Sequence, residues 1–303
     1  MTPSGEVEYL HFLGGLSALG SAFCWALAAI LFRRIGSGVS PLGLNLGKGI
    51  VAFFCLGFLF ITIEYVPASL QSVVVLSLSG LVGICLGDTL YFVVLNRLGP
   101  RLTLLLGSLI PVAVALMAFL FFQERVSVTS MFWLLLTICG VGYVLWERSP
   151  QGVDRTRWIS GVMLGLLFIV AEAAGIMLTK VGVKDMPSVE ATFIRQTAAV
   201  VGLSVWGLAT GSLIGWLQPL KDPSKRMKVL VASLIGAFIG TWLSVLALKL
   251  TYASVAAALN STSPLFALPL VAWMMREKIS QRAMYGSFIA VLGIAGYFIT
   301  LGI

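Results

Sequence analysis

Four ionisable side chains lie deep inside long apolar segments of this chain: Lys48, Asp88, Glu172 and Arg195. A charged side chain at the centre of a bilayer costs at least about 2.5–3.5 kcal/mol, so it is expected to face a cavity or an opposite charge. Counted from the ends of their segments, Lys48 and Asp88 share one level, and Glu172 and Arg195 share another on the far side of the midplane. The spacing therefore predicts two ion pairs, one at each level.

These groups have the chemistry needed to recognise a small polar or zwitterionic solute. Lys48 or Arg195 would hold a carboxylate, and Asp88 or Glu172 would hold an amino group or a coupling proton. The alternative is that both pairs are structural and lock neighbouring helices together.

Uncharged side chains at the same levels extend the predicted site. Asn45 and Thr192 precede the two cations by three residues and share a helical face with them. Asn260 carries an amide, which needs partners at membrane depth. Three aromatic residues are candidates for the cavity wall: Trp25, Tyr91 and Trp242. Each of these rings also fits a core or lipid-facing position.

The segments that carry these residues are long enough to cross a membrane. The 303-residue chain is 59% hydrophobic and 11% charged, with a mean hydropathy of +1.01. A spanning helix needs about 20 apolar residues, and continuous rather than alternating apolar runs favour helices over a barrel. We predict an all-α integral membrane protein with ten spans, numbered in order: 10–32, 42–63, 72–95, 102–122, 129–146, 158–179, 188–212, 227–248, 252–275 and 283–303.

The second half of the chain repeats the first. Residues 87–127 align with residues 240–280 without a gap, and the same shift of 153 residues places Gly83 on Gly236 and Gly140 on Gly293. The matching is looser near the start of each half, where Lys48 falls on Arg195. We predict a first five-helix repeat at 1–148, a polar linker at 149–157 and a second repeat at 158–303. Because each repeat has an odd number of spans, the second should be inverted in the membrane.

Two prolines occupy matching positions in spans 4 and 9, Pro111 and Pro264. A proline within a helix frees a backbone carbonyl and bends the helix. Bent helices at matching places in two halves predict hinges beside a central binding cavity. The alternative is that membrane helices merely tolerate these prolines.

The basic residues predict the orientation. The connections after spans 1, 3, 5, 7 and 9, here called the odd loops, hold fourteen Lys and Arg residues, against four in the even loops. The positive-inside rule then places the odd loops in the cytoplasm and both termini outside, in an inner or plasma membrane. The net charge of +8 is spread over loops rather than gathered on one face, which excludes nucleic acid as a partner.

Other chemistries have no support in the sequence. The four cysteines lie inside spans and read as small apolar residues, and the one histidine, His11, stands near a helix start. We therefore predict no metal site, no cofactor and no enzyme activity.

The segments from Pro111 to Glu124 and from Pro264 to Glu277 resemble the end of the EamA repeat of the drug/metabolite transporter superfamily. The resemblance implies antiparallel five-helix halves, with spans 1–4 and 6–9 around a cavity and spans 5 and 10 at the periphery. Members of the family are described as carrying amino acids, sugars, nucleotide-linked metabolites and drugs, mostly outward. The short multidrug relatives rely on a glutamate in their first helix, for which Glu172 in span 6 is the nearest counterpart.

Together these patterns predict a monomeric secondary transporter. It would export a small polar metabolite, such as an amino acid, by alternating access across the bilayer. The alternatives are a passive channel or facilitator and a carrier of multidrug or nucleotide-sugar type. A membrane enzyme or receptor is less well supported, because catalytic constellations and loop domains are missing. A lipid-handling protein is a further alternative, which aromatic side chains facing a lateral opening would favour.

Overall fold

The fold is all-helical throughout the part of the chain that the structure describes. This computed structural model describes residues 3–35, 39–62, 68–122, 127–146, 155–183, 186–251, 256, 259–276 and 279–300. Five helices are long and apolar enough to cross a membrane: Tyr9–Ile35, Pro41–Thr62, Leu70–Gly107, Arg155–Gly182 and Pro223–Leu250. Continuous apolar runs form helices because a backbone in lipid must satisfy its hydrogen bonds within its own segment.

The first half contains spans 1 to 5. Its successive helical segments are Pro3–Ile35, Pro41–Thr62, Leu70–Ser79, the π-helical Gly80–Gly87, Asp88–Gly107, Ile110–Phe122 and Val128–Leu145. Gly99 separates span 3 from span 4, because its backbone (φ 82°, ψ 171°) leaves the helical region just before Pro100. A positive φ of this kind favours glycine, which has no Cβ.

The second half contains spans 6 to 10. Its segments are Arg155–Gly182, Ser188–Ala209, Leu213–Leu217, the 3-10 turn Gln218–Lys221, Pro223–Ser233, the π-helical Leu234–Gly240, Thr241–Leu250, Ser263–Met275 and Gln281–Thr300. Residues 149–154, which form most of the predicted linker, lie outside the described residues, as do Glu124 and Glu277.

The contact between spans 5 and 10 has two-fold symmetry. A Cβ on Gly140 would lie 2.6 Å from the backbone nitrogen of Ala290, and a Cβ on Gly293 would lie 2.6 Å from the backbone nitrogen of Thr137. The repeat alignment exchanges these two contacts, because it places Gly140 on Gly293 and Thr137 on Ala290. A self-complementary contact of this type requires an approximate two-fold axis. The ten spans thus form two inverted five-helix repeats.

Small residues let the third span of each half pack against the first span of the other half. A Cβ on Gly83 would lie 3.3 Å from the Cα of Gly175, and a Cβ on Gly236 would lie 2.5 Å from the Cβ of Ala28. Such ridges bring helix backbones close together in a membrane. The seam between the halves is therefore built from spans 3 and 6 and from spans 8 and 1.

Each half carries a π-helical segment at the same place in the repeat. Gly80–Gly87 directly precedes Asp88 in span 3, and Leu234–Gly240 directly precedes Thr241 in span 8. π-helical turns are rare and occur frequently at functional sites. The sequence analysis recognised the duplicated glycines in these segments but not the wider helical turn.

Candidate functional site

A cavity of about 350 Å³ lies between the two halves. It is lined by eight of the residues singled out in the sequence: Trp25, Lys48, Asp88, Tyr91, Pro111, Glu172, Arg195 and Asn260. The phenyl rings of Phe32, Phe92 and Phe168 add apolar wall. The arrangement thus combines both signs of charge with an aromatic surface, and its volume falls in the range that holds small ligands, about 300–1,000 Å³.

Lys48 and Asp88 form the first predicted ion pair, between spans 2 and 3. The Lys48 ammonium also lies 5.5 Å from the centroid of the Phe92 ring, within range of a cation–π attraction. Lys48 is buried and Asp88 is partly buried. The charges of Lys48 and Asp88 therefore largely neutralise each other at the cavity wall.

The second predicted pair is wrong, because Arg195 and Glu172 do not come within ion-pair distance. Arg195 instead donates from Nε to Ser79 Oγ at 3.0 Å, and Ser79 donates to the carbonyl of Gly175 at 2.7 Å. A polar chain therefore links span 7 to spans 3 and 6. The terminal nitrogens of Arg195 make no hydrogen bond to a described residue, and the side chain lines the cavity.

Glu172 lies against span 3 at a glycine. A Cβ on Gly87 would stand 2.8 Å from Glu172 Oε1, so a larger residue at position 87 would displace the carboxyl group. The structure records neither an ion pair nor a hydrogen bond from this carboxyl group to any described residue. Glu172 is thus the acidic group in the cavity wall without a partner in the described part of the chain.

Four of the predicted residues lie outside the cavity lining: Asn45, Thr192, Trp242 and Pro264. The Asn45 amide nitrogen lies 2.9 Å from the carbonyl of Ile84, 3.2 Å from that of Cys85 and 2.9 Å from Thr89 Oγ1. It therefore binds carbonyls of the first π-helical segment. Trp242 stacks on Phe238, with ring centroids 6.4 Å apart.

Asn260 joins spans 8 and 9 at the cavity wall. Its amide nitrogen donates to Ser244 Oγ at 3.0 Å, and both residues line the cavity. Thr192, at the position equivalent to Asn45, donates to the carbonyl of Ser188 within its own helix. The polar stripes predicted for the two halves thus have different partners.

Spans 4 and 9 each contain a short turn just before the proline. Turns at residues 108–109 and 261–262 end one helical stretch, and the next begins at Ile110 or at Ser263. Pro111 and Pro264 occupy the second residue of the new helix, where a proline is well tolerated because its missing N–H has no helical acceptor. Ile110 and Ser263 line the cavity, which places two helix N-termini at its wall.

Arginine residues join the two halves at the odd-loop end of the bundle. Arg33 of span 1 and Arg157 of span 6 both donate to the carbonyl of Asn96, at 2.9 Å and 3.2 Å. Arg97 donates to Ser160 Oγ at 2.7 Å. A fourth member, Arg34, donates to the carbonyl of Met274 at 2.7 Å. We call Arg33, Arg34, Arg97 and Arg157 the arginine clamp. Sequence analysis counted these residues only as topological charges.

The same end of the bundle is filled with apolar side chains. Phe32 and Phe92 pack edge to face, with ring centroids 5.0 Å apart, in a buried cluster that includes Leu104. Toward the other end, the cavity lining reaches Lys180, an exposed residue in the last turn of Arg155–Gly182. The cavity is therefore closed at the odd-loop end and extends toward the even-loop end.

Comparison with known proteins agrees with this architecture. The chain matches the EamA-like transporter family over residues 12–146 and 159–299. It is 25% identical over 284 residues to an uncharacterized transporter of Archaeoglobus fulgidus, covering 92% of this chain and 95% of that protein. A solved protein crystal structure superposes with a TM-score of 0.65 at 16% identity, covering 95% of this chain and 96% of the other, and shows the same fold. The chain belongs to the EamA-like transporter family and is a multi-pass membrane transporter.

Proposed function

We propose that this transporter exports a small zwitterionic metabolite with an apolar side chain, such as an amino acid, by alternating access. The observation that carries the proposal is a cavity between inverted halves that holds opposite charges and is closed at one end. Secondary transporters bind their solutes near the midplane between inverted repeats, and the repeats then rock around the site.

The charged residues support a division of roles. The terminal nitrogens of Arg195 bind no residue in the described part of the chain, and they can hold a carboxylate in the forked geometry that arginine favours. Glu172 would attract an ammonium group or carry the coupling proton. Lys48 and Asp88, which already form a pair, would reorganise when the solute arrives.

The apolar wall supports a solute that has more than a charged head. Trp25, Tyr91 and Phe168 offer ring surfaces to the cavity. A free sugar offers no carboxylate to Arg195, and a hydrophobic cation would also leave Arg195 unpaired in a buried site, which is costly. These considerations favour an amino acid over a sugar or a cationic drug.

The closed end supports a carrier over a passive channel. A channel requires a continuous path, whereas the arginine clamp and the Phe32–Phe92 cluster block one end of the cavity. We further propose that the odd loops face the cytoplasm, so that the closed end is cytoplasmic and both termini lie outside. The protein would act as a monomer, because the cavity is formed within one chain.

Transport in proteoliposomes tests the proposal. Purified protein should exchange at least one amino acid with an apolar side chain, with saturable kinetics, and should not exchange sugars or nucleosides. An imposed pH gradient should raise the initial rate, and Glu172→Gln should remove that response, because glutamine cannot carry a proton. Flux that rises linearly with concentration and ignores pH would instead establish a channel.

The arginine clamp should determine which end of the cavity is accessible. Two hydrogen bonds of the clamp join span 3 to span 6 across the two halves, from Arg157 to the Asn96 carbonyl and from Arg97 to Ser160 Oγ. Each contributes about 1 kcal/mol, so Arg97→Gln with Arg157→Gln should shift the equilibrium between the two open states by roughly 30-fold. Accessibility is measured with a single cysteine, introduced as Met177→Cys at a cavity-lining position in a chain otherwise free of cysteine. We expect this cysteine to react several-fold more slowly with a membrane-impermeant maleimide when the clamp is removed.

Arg282→Gln is the matched control for the clamp experiment. Arg282 also stands at an odd loop, but it packs over the Tyr143 ring, 6.0 Å from its centroid, between the peripheral spans 5 and 10. It should leave the labelling rate unchanged. Equal rates in the clamp variant and the wild-type background would show that the arginines do not hold this end closed.

A further inference from the structure

A second cavity, of about 410 Å³, lies between spans 2 and 8 near their odd-loop ends. It shares no lining residue with the central cavity. Span 2 contributes Gly47, Ile50 and Val51, and span 8 contributes Met227 and Leu230. The groove exists because Gly47 has no side chain: a Cβ there would already stand 3.1 Å from Leu220 Cδ1. We call this cavity the span 2–8 groove.

The rim of the groove is strongly basic. Four cations fall within eight residues, Lys221, Lys225, Arg226 and Lys228, and Arg226 lines the groove itself. The acidic residue of this stretch, Asp222, is engaged as a helix cap, accepting from the Ser224 backbone nitrogen at 2.9 Å. None of the four cations forms an ion pair with a described carboxylate. The rim therefore has positive charge available for an anion from outside the chain.

The position of the groove matches the depth of a lipid head group. Pro223 begins span 8, and Arg226 stands one turn farther along it. Beyond Lys228 the exposed side chains of this helix are apolar, including Leu230 and Val231. A phospholipid has this polarity profile, with a phosphate at the interface and acyl chains below it. Free phosphate would use only the rim and would leave the apolar floor uncovered.

The charged rim occurs in only one of the two repeats. The first-half loop at the equivalent position, residues 64–71, contains no Lys or Arg. Basic clusters next to membrane helices attract anionic lipids, and each Lys or Arg near the surface contributes about 1 kcal/mol. Since about 1.4 kcal/mol changes an affinity tenfold, one to two cations account for a tenfold change in lipid affinity. Because the repeats are inverted, the equivalent loop lies on the other side of the membrane, and the positive-inside bias accounts for this difference in charge. The apolar groove directly beneath the cations is the additional feature that favours a lipid.

We propose that the span 2–8 groove binds an anionic phospholipid, with its phosphate on Lys225 and Arg226 and an acyl chain along Ile50, Val51 and Leu230. This inference is independent of the solute carried by the central cavity. The bound lipid bridges spans 2 and 8, which belong to different repeats.

Native mass spectrometry of the full-length protein in detergent tests the site. Titration with phosphatidylglycerol should give one tightly retained lipid per chain, whereas phosphatidylcholine should bind at least tenfold more weakly. The variant K225Q/R226Q/K228Q should lower the affinity for phosphatidylglycerol by about 100-fold. The control variant R101Q/R155Q/R282Q removes the same charge from other odd loops and should retain the lipid.

Two further experiments distinguish a lipid site from a site for an inorganic anion. Val51→Trp fills the groove, and it should reduce phosphatidylglycerol binding while leaving the rim unchanged. Inorganic phosphate at millimolar concentration should not compete with the lipid. Equal affinity for the two lipids, full competition by phosphate, or equal losses in the two triple variants would each overturn the assignment. Monodisperse elution of each variant from a sizing column establishes that it has folded.

Discussion

Replacing Arg195 by glutamine is expected to abolish solute transport while leaving the folded protein in the membrane. Its terminal nitrogens, which bind no described residue, supply a buried cation in the cavity wall that is not paired with a described carboxylate. Losing one partner of a desolvated charge pair costs about 2–5 kcal/mol, which corresponds to a loss of solute affinity of roughly 30-fold or more. Exchange of the radiolabelled solute in proteoliposomes would measure the loss.

Conservative variants separate a binding role from a structural one. Arg195→Lys keeps the charge but loses the forked geometry, so its activity should be intermediate. Ser79→Ala removes the hydroxyl that accepts from Arg195 Nε but leaves the guanidinium in the cavity. If Ser79→Ala abolishes transport as completely as Arg195→Gln, the arginine acts as a helix clamp instead.

Lys48 provides a second measurement on the same site. Lys48→Ala leaves Asp88 without its ammonium partner beside the cavity, and transport should again be lost. Lys180→Gln, which removes a cation from the exposed part of the lining, should change the apparent affinity only slightly. Normal transport in both Lys48→Ala and Arg195→Ala would refute the assignment of the site.

Replacing Gly80 by alanine is expected to destabilise the folded protein strongly. A Cβ at this position would lie 2.1 Å from the carbonyl oxygen of Arg195, a backbone atom that can yield only if span 7 moves. Overpacking of this kind costs about 1–3 kcal/mol or more. Because the contact joins span 3 to span 7, the substitution weakens packing between the two halves. Thermal unfolding in detergent should show a clearly lower transition temperature.

Gly142→Ala is the matched control for the packing experiment. No atom lies within 4 Å of a Cβ added at this helical glycine. Alanine is the better helix former by up to about 1 kcal/mol, so the control should be neutral or stabilising. Equal transition temperatures for Gly80→Ala and the wild type would show that the seam is looser than the contact implies.

The amino-acid pattern predicts the helical architecture well, because membrane physics leaves few alternatives. Long apolar runs must be helical, and a repeat with an odd number of spans must be inverted. The exchange of the Gly140 and Gly293 contacts agrees with this reasoning. Lys48 and Asp88 were also paired correctly, since they share a level on neighbouring spans and have no competing partner recorded among the described residues.

The partner of Arg195 could not be predicted, because depth along a span does not fix the direction in which a side chain points. Arg195 and Glu172 share a level, but Ser79 lies in reach of the guanidinium from a third helix. Serine is common enough in membrane spans that its spacing carries no signal. The carbonyl of Asn96, which accepts from two arginines, belongs to the backbone and so leaves no residue-type signature.

The two π-helical segments were missed for a related reason. A glycine repeat predicts close packing, but it does not distinguish an α-turn from a π-turn. The turns before Pro111 and Pro264 stand where the prolines predict a disruption of the helix, but a proline indicates only the place of the disruption and not its backbone geometry. Such local backbone choices depend on neighbouring helices that a single sequence does not show.

The two π-helical segments are anchored in different ways, and this difference makes the halves mechanically unequal. Asn45 holds the first segment from within its own repeat, through the carbonyls of Ile84 and Cys85. The second segment is held across the seam, where Ser21 of the first half donates to the carbonyl of Gly240 at 2.9 Å. If the halves separate, the first π-helical segment keeps its hydrogen bonds to Asn45, whereas the second loses the hydrogen bond from Ser21. Reversion of the second wide turn to ordinary α-helical winding would then swing the side chains beyond it by about 100°.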